Sequence, residues 1–270
     1  MQGRVLIIAG SDSGGGAGIQ ADIKTVTALN GFAMTAITAL TAQNTQGVQG
    51  VLAIPPAFIR QQIDVVMQDI GADAIKIGML GDSATIDVVA EAIVDHAPTV
   101  PVVLDPVMVA KGGQHLLADE AVAELRLRLL PLATVITPNL PEAEALTGLP
   151  AIETEPQMRH AATTLLALGA RAVLLKGGHL PSDTVTDLLA TRQGTASFTA
   201  PRIHTRHTHG TGCTLASAVA AGLAQGMSLH DAVARARTYV RRAIAAAPGF
   251  GHGHGPLDHA VTFDSARLEE

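Results

Sequence analysis

The chain has 270 residues and a net charge of −6 without a run of Lys or Arg, which removes the electrostatic footprint of a DNA- or RNA-binding surface. Hydrophobic residues make up 47%, but with no Trp, one Tyr and five Phe the core must be aliphatic, which argues against recognition by base stacking. A lone Cys forbids an internal disulfide, glycines interrupt the first apolar run before it can read as a secretion signal, and no stretch reaches the roughly 18 to 20 apolar residues of a membrane span. The expected compartment is the cytoplasm, with neither nucleic acid nor membrane as partner.

The first element is a strand from Val5 to Ala9, which runs into Gly10-Ser11-Asp12-Ser13-Gly14-Gly15-Gly16-Ala17-Gly18 and then a helical pattern from Ile19 to Leu29. A small ligand could press against that glycine-rich backbone. Gly16-x-Gly18-x-x-Ala21 fits the dinucleotide fingerprint, but Thr41-Ala42-Gln43-Asn44, at the end of the next strand, offers no acid for a ribose. No Walker loop occurs anywhere. Further aliphatic runs at Met34 to Leu40, Ala74 to Ile77, Val102 to Leu104, Thr134 to Ile136 and Ala172 to Leu175 are typical of strands buried on both faces. Ile59, Ile63, Val66, Met67 and Ile70 lie on one helical stripe, and Leu229, Val233, Ala236, Val240 and Ile244 on another. This alternation predicts a parallel sheet with helices on both sides, in a single domain over residues 1 to 270. Gly226 would end one helix, and Ser228 with Asp231 would cap the next, so two helices follow one another after Cys213. From about residue 249 the glycine- and histidine-rich segment reads as a loop opening an irregular tail.

Chemistry concentrates where strands end and helices begin. In Thr208-His209-Gly210-Thr211-Gly212-Cys213-Thr214, flexible glycines precede an alanine-rich helix whose first turn presents unpaired N–H groups and partial positive charge, an arrangement that holds a phosphate. Cys213 in that turn would have its thiolate favoured and could accept a proton, although a small buried thiol is the plainer alternative. Asp105 ends one strand and Thr137-Pro138-Asn139-Leu140-Pro141-Glu142 follows another, so two carboxylates with an amide would share a rim and suit Mg²⁺. Taken singly, Asp105 could start a turn before Pro106, and Glu142 could supply first-turn charge to a helix. Lys176, before Gly177-Gly178, places a cation on the same rim, where it could meet a phosphate or simply solvent. His204, His207, His209, His252, His254 and His259 lack the partners of a zinc site, and there is no serine-hydrolase elbow. Ala110-Lys111-Gly112-Gly113 is a candidate lid or a plain surface turn.

Taken together, G-S-D-S-G-G-G-A-G-I-Q-A-D, T-A-Q-N-T at Thr41 to Thr45, K-I-G-M-L at Lys76 to Leu80, T-P-N-L-P-E, L-K-G-G-H, A-P-R-I and H-G-T-G-C-T resemble the ribokinase superfamily. Within it they are most similar to the hydroxymethylpyrimidine and phosphomethylpyrimidine kinases of thiamine synthesis, over Ile7 to about Gly255. The resemblance implies a ribokinase-like three-layer αβα sandwich, ATP and Mg²⁺ as cofactors, a small-molecule pyrimidine as substrate and a homodimer. It implies that Gln43 hydrogen-bonds the aminopyrimidine while Asp22, Met79 and Val107 line its pocket. Asp105, Asn139 and Glu142 would organise Mg²⁺ and phosphates, Lys176 and the Thr208 turn would contact phosphate, and Gly210, Thr211 and Gly212 would form an anion hole. Cys213 would stand where most sugar kinases of the superfamily carry an aspartate base. Two transfers by one site would follow, and Cys213 would matter more in the first, because the second acceptor is an already ionised phosphate. Relatives that phosphorylate pyridoxal, and a catalytically silent ligand-binding relative, are the alternatives.

Overall fold

The computed structural model describes residues 2–109, 113 and 116–263. Strand β1 (Arg4–Ala9) shows why the chain opens on an unbroken aliphatic run: Val5, Ile7 and Ala9 meet one helical layer while Leu6 and Ile8 meet the other. The same double burial holds β5 (Ala74–Ile77), β6 (Val102–Leu104), β7 (Val135–Ile136) and β8 (Ala172–Leu175), which extend from β1 in parallel. On the other side of β1 lies β2 (Phe32–Ile37), also parallel. One layer is built from α2 (Pro56–Asp69), α3 (Ser83–His96), α4 (Asp119–Glu124) with its π-helical continuation Leu125–Leu129, α5 (Leu140–Thr147) and α6 (Glu155–Ala167). The opposite layer contains α1 (Gly18–Ala28), α7 (Thr211–Ala224) and α8 (Leu229–Ala245). The result is a three-layer αβα sandwich with a mostly parallel sheet.

Two hairpins depart from the sequence expectation. The run Met34 to Leu40 is not one strand: β2 stops at Ile37, and Thr38 turns a corner, its N–H donating to the Ala9 carbonyl at 3.1 Å and its hydroxyl to the Met79 carbonyl at 2.6 Å. Beyond it β3 (Ala39–Asn44) leaves the main sheet and pairs antiparallel with β4 (Gly47–Ala53). An aliphatic run carries no mark of that corner, because the corner's polar groups are satisfied by distant backbone. At the far edge, β9 (Thr184–Thr191) and β10 (Gly194–Pro201) form an antiparallel pair that caps the parallel strands.

Among the described residues the sheet order is β10-β9-β8-β7-β6-β5-β1-β2, so the chain moves outward from β1 in both directions. Such a reversal leaves a crevice at the carboxyl ends of the central strands, the usual seat of a ligand in an open α/β sheet. Behind it, Gly226 at φ 79° follows α7, and Ser228 caps α8 by accepting from the Asp231 N–H, as expected. The tail from residue 249 is irregular yet docked, with the Tyr239 hydroxyl donating to the His259 carbonyl at 2.8 Å and Leu257 buried. Of the candidate lid, only Gly113 lies within the described residues.

Candidate active site

A cavity of about 1010 Å³ occupies the crevice. Gln43, Met79, Val107, Asp105, Cys213, Asn139, Glu142 and Lys176 all line it. The α7 entrance from Thr208 to Gly212 also borders it. The strand ends and the α7 start that the sequence singles out are therefore brought together. Asp22 is not: its side chain is wholly buried, and its carboxylate is held by Lys76 Nζ at 2.7 Å and the Ser217 hydroxyl at 2.7 Å. The expectation that Asp22 lines the pocket is corrected on that ground, since a carboxylate that deep is kept by its internal cation and does not meet a ligand.

The glycine-rich segment after β1 wraps around Asp12. Its carboxylate accepts from the N–H groups of Gly14 at 2.8 Å, Gly16 at 3.1 Å and Ala17 at 2.8 Å, and faces His209 Nε2 at 2.8 Å. Burial pushes the Asp12 carboxyl up, but His209 and the amides of Ala17 and Gly14 outweigh it and hold the group below the usual range. This anchors the loop to the segment that leads into α7. The two backbones touch so closely that a side chain at Gly210, which has φ 81°, would drive into the Gly16 carbonyl.

Gly210 caps α7 without any side-chain hydrogen bond, and Thr211, Gly212 and Cys213 make its first turn at the cavity wall. The Thr211 hydroxyl turns back to the Thr208 carbonyl at 3.1 Å, away from the first-turn amides. A Cβ on Gly212 would lie 3.2 Å from Lys176 Nζ, so the missing side chain keeps the helix start next to the cationic rim. Cys213 reaches the cavity, and its surroundings work against the expected thiolate. Burial pushes the thiol up to about 12, and the charges of Asp22 and Asp105 add to this against the opposing effect of Lys76. A helix dipole acts within the first turn and does not offset the desolvation of a thiolate there.

Lys176 stands between two carboxylates, 3.0 Å from Asp105 and 3.8 Å from Glu142. Asp105 also accepts from the Thr137 hydroxyl at 2.9 Å. Asn139 and Glu142 form a reciprocal capping box at the start of α5: the Asn139 Oδ1 accepts from the Glu142 N–H at 2.9 Å, and Glu142 Oε2 accepts from the Asn139 N–H at 2.7 Å. The helix-start reading of Glu142 and the site reading thus hold together, with Oε1 left over. Burial, then the Asp105 charge, pushes the Glu142 carboxyl up to about 7 against the pull of Lys176. One cation among two carboxylates leaves negative charge in excess. Among the described residues no group of three or more His, Cys, Asp or Glu is placed to hold a metal alone. Two carboxylates with spare oxygens nevertheless fit a hard divalent ion that keeps several waters and shares the oxygens of a ligand.

Four residues of this framework carry no role in the sequence reading: Asp12, Lys76, His209 and Ser217. Lys76 is fully buried, and although burial opposes its charge, Asp22 first and then Cys213 and Asp105 hold its pKa above the usual value. The available signal was a lysine inside the four-residue strand Ala74 to Ile77, where a charge needs a partner.

Comparison with known proteins agrees with this geometry. A family model described as phosphomethylpyrimidine kinase matches residues 12–258. The thiamine biosynthesis bifunctional protein ThiED of Geobacter sulfurreducens is 51% identical over 98% of this chain, which spans 54% of that longer protein. The hydroxymethylpyrimidine/phosphomethylpyrimidine kinase of Bacillus subtilis is 50% identical over 95% of this chain and 94% of its own length. Among solved structures, a Bacillus subtilis pyridoxal kinase in complex with ADP superposes with a TM-score of 0.90 at 39% identity, covering 98% of this chain and all of that one. The Staphylococcus aureus pyridoxal kinase in complex with AMP-PCP and pyridoxal gives 0.89 at 36% identity, covering 97% and 94%.

Proposed function

The chain belongs to the phosphomethylpyrimidine kinase family, and on that premise we propose that it phosphorylates 4-amino-5-hydroxymethyl-2-methylpyrimidine with ATP, first to the phosphate and then to the diphosphate, for thiamine diphosphate synthesis. The observation that carries this reading is the meeting, around one cavity, of a carboxamide, a lysine with two carboxylates, and an uncapped helix start next to that lysine. Phosphoryl transfer asks chiefly for alignment and charge neutralisation. Gln43 orients the ring, with Met79 and Val107 as apolar walls. The first-turn amides of α7 and the Lys176 ammonium receive the migrating phosphoryl group, and the Asn139 amide, whose Oδ1 is committed to its cap, has its nitrogen left to donate. Thr208 shapes the turn through its carbonyl.

Mg²⁺ would be held through Asp105 and Glu142, and would supply neutralisation of phosphate charge. The thiolate form of Cys213 takes the hydroxymethyl proton in the first transfer and becomes the thiol; the small thiolate fraction suffices because a loose transition state needs little base. The second acceptor is an ionised phosphate and needs no base. A homodimer and cytoplasmic residence belong to the same reading. They are supported by exposed Leu40, Val51, Leu52 and Phe58 on the β3–β4 hairpin and α2, and by the absence, among the described residues, of any helix long and apolar enough to cross a membrane.

Pyridoxal is the second acceptor to consider, since the superposed kinases named above act on it. Identity to the pyrimidine kinase, 50% against 36% to 39%, favours the pyrimidine. Steady-state ADP release with each acceptor on one preparation decides between them. Higher kcat/KM for the pyrimidine is expected; a higher value for pyridoxal would replace this reading. Tight binding of both substrates without ADP release would indicate a silent relative.

A further inference from the structure

A carboxamide reads a ligand in either of two directions, because its oxygen accepts, its nitrogen donates, and the two ends have the same shape. Neighbouring groups decide which end is which. Gln43 sits just past a register shift in β3, between Ala42 and Gln43, where an irregular ladder re-aims the side chain. In the structure the amide nitrogen lies 3.4 Å from His209 Nε2 and the amide oxygen 3.2 Å from Thr41 Oγ1, but the two ends share one shape and only the chemistry of their partners assigns them. Each of those atoms has a second, stronger partner that fixes its role.

His209 Nε2 lies 2.8 Å from Asp12 Oδ2. That carboxylate already collects three backbone N–H groups and can only accept, so the shared hydrogen belongs to His209 Nε2. A ring nitrogen that carries a proton has no lone pair for an amide N–H, and can share its hydrogen only with the amide oxygen. At the other end Thr41 has one hydroxyl hydrogen, and the Ser11 carbonyl at 2.9 Å takes it. What Thr41 offers Gln43 is therefore a lone pair, which suits the amide nitrogen. The opposite setting would place two donors face to face at His209 and two acceptors face to face at Thr41.

Resting on the reading of this chain as a hydroxymethylpyrimidine kinase, we propose that Asp12, His209 and Thr41 are positioning residues that lock the Gln43 carboxamide, oxygen toward His209 and nitrogen toward Thr41, and so select an amino-substituted ring. An aminopyrimidine presents an amine donor beside an unprotonated ring nitrogen. Its 4-oxo counterpart has the same outline with the polarity reversed: a carbonyl acceptor beside a ring N–H. A locked amide matches the first and leaves both polar groups unpaired with the second, whereas an amide free to turn over matches either. Selectivity against the oxo ring thus resides in how Asp12, His209 and Thr41, which also border the cavity, set the Gln43 amide.

The test is steady-state kinetics of the full chain with the 4-amino acceptor and its 4-oxo isostere at saturating Mg·ATP. Wild type is expected to prefer the amino ring by about a hundredfold or more in kcat/KM. In His209→Leu the KM for the amino ring should rise about tenfold with kcat within about twofold, and the preference should fall to about tenfold or less. His209→Gln returns an N–H at that end and should restore part of the preference. Thr41→Val, which keeps the side-chain outline, should erode the preference in the same direction, and it decides the matter alone if loss of the Asp12–His209 link prevents His209→Leu from folding. Variants that lose activity equally toward both rings, with the preference intact, would make the network merely structural and overturn this inference while leaving the kinase reading in place. A wild type that phosphorylates neither ring would overturn that reading and this inference with it.

Discussion

One lysine in β5 and another just past β8, with two strands between them, each meet an aspartate that also holds a hydroxyl, and they do different work. Lys76 and Asp22 are 2.7 Å apart, both side chains 0% exposed, with the Ser217 hydroxyl on the remaining oxygen. Lys176 and Asp105 are 3.0 Å apart with the Thr137 hydroxyl on the same oxygen as the lysine, but Glu142 stands 3.8 Å off and the lysine keeps 15% of its surface at the cavity. The first group is balanced and, although Lys76 borders the cavity wall, neither of its side chains is exposed; the second is open and carries negative charge in excess. A balanced pair has nothing to offer a ligand and can only hold α1, β5 and α7 in place. The unbalanced one is a standing demand for a further cation. Proximity of a lysine to carboxylates therefore does not by itself mark a site; the residual charge and the route to solvent do.

Breaking the buried pair should have the largest effect. Lys76→Met leaves the Asp22 carboxylate buried without its cation, which is expected to cost about 3–5 kcal/mol in urea denaturation. Burial already pushes the Asp22 pKa up, with Lys76 as the main opposing influence. Without Lys76 the folded-state pKa rises further above the unfolded value. The variant should then be least destabilised in acid, below the unfolded carboxylate pKa, and lose stability as pH rises through the folded one. Lys176→Met should cost less than about 2 kcal/mol, because Glu142, already at about 7, can take up a proton and water can enter. Equal losses in the two variants would remove the distinction.

The excess charge is tested by Glu142→Gln. The amide oxygen can still accept from the Asn139 N–H, so the capping box survives and stability should change by no more than about 0.5 kcal/mol. Turnover at limiting Mg²⁺ should fall by about tenfold or more. A magnesium titration superposable on that of wild type would mean that the open cluster does not recruit the metal.

How much of this was legible in the sequence depends on range. The runs Val5 to Ala9, Ala74 to Ile77, Val102 to Leu104 and Ala172 to Leu175 declare doubly buried strands because composition alone shows it, and Asp105, Lys176 and Cys213 stand out as reactive groups at strand ends or a helix start. The corner at Thr38 and the β9–β10 hairpin were hidden, since polar groups satisfied by remote backbone and edge strands rich in Thr leave no periodic mark. Asp22 was misplaced because its partner Lys76 is 54 residues away, and Asp12 with His209 went unread because 197 residues separate them. The acidity of Cys213 was misjudged for a different reason: the helix start is visible in the sequence, whereas the depth of the sulfur is set by tertiary packing.

Cys213 lies between the two clusters and feels charges from both. With its thiol at about 12, the thiolate fraction grows about tenfold per pH unit across the neutral range. If Cys213 accepts the proton in the first transfer, that step should accelerate from pH 7 to 9 without a plateau, while the second stays nearly flat. Cys213→Ala should flatten the first profile and leave the KM for ATP within about twofold. A second transfer that climbs as steeply as the first would move the titrating group elsewhere.

The finest comparison removes one hydroxyl from each cluster. Ser217 is the hydroxyl partner of Asp22 Oδ1, whereas Asp105 Oδ1 receives both Thr137 and Lys176. Ser217→Ala should therefore leave a fully buried carboxylate oxygen unsatisfied, at about 2 kcal/mol, because a hydrogen bond to a charged acceptor is lost and no water can replace it. Thr137→Val preserves shape and leaves Lys176 to hold Asp105 Oδ1, so it should cost about 1 kcal/mol or less. The difference is read from denaturation midpoints at constant slope, which excludes changes in the unfolded state. Should Thr137→Val prove the costlier of the two, the cavity-side cluster would be the more tightly committed, and negative charge there would serve the fold before it serves a metal.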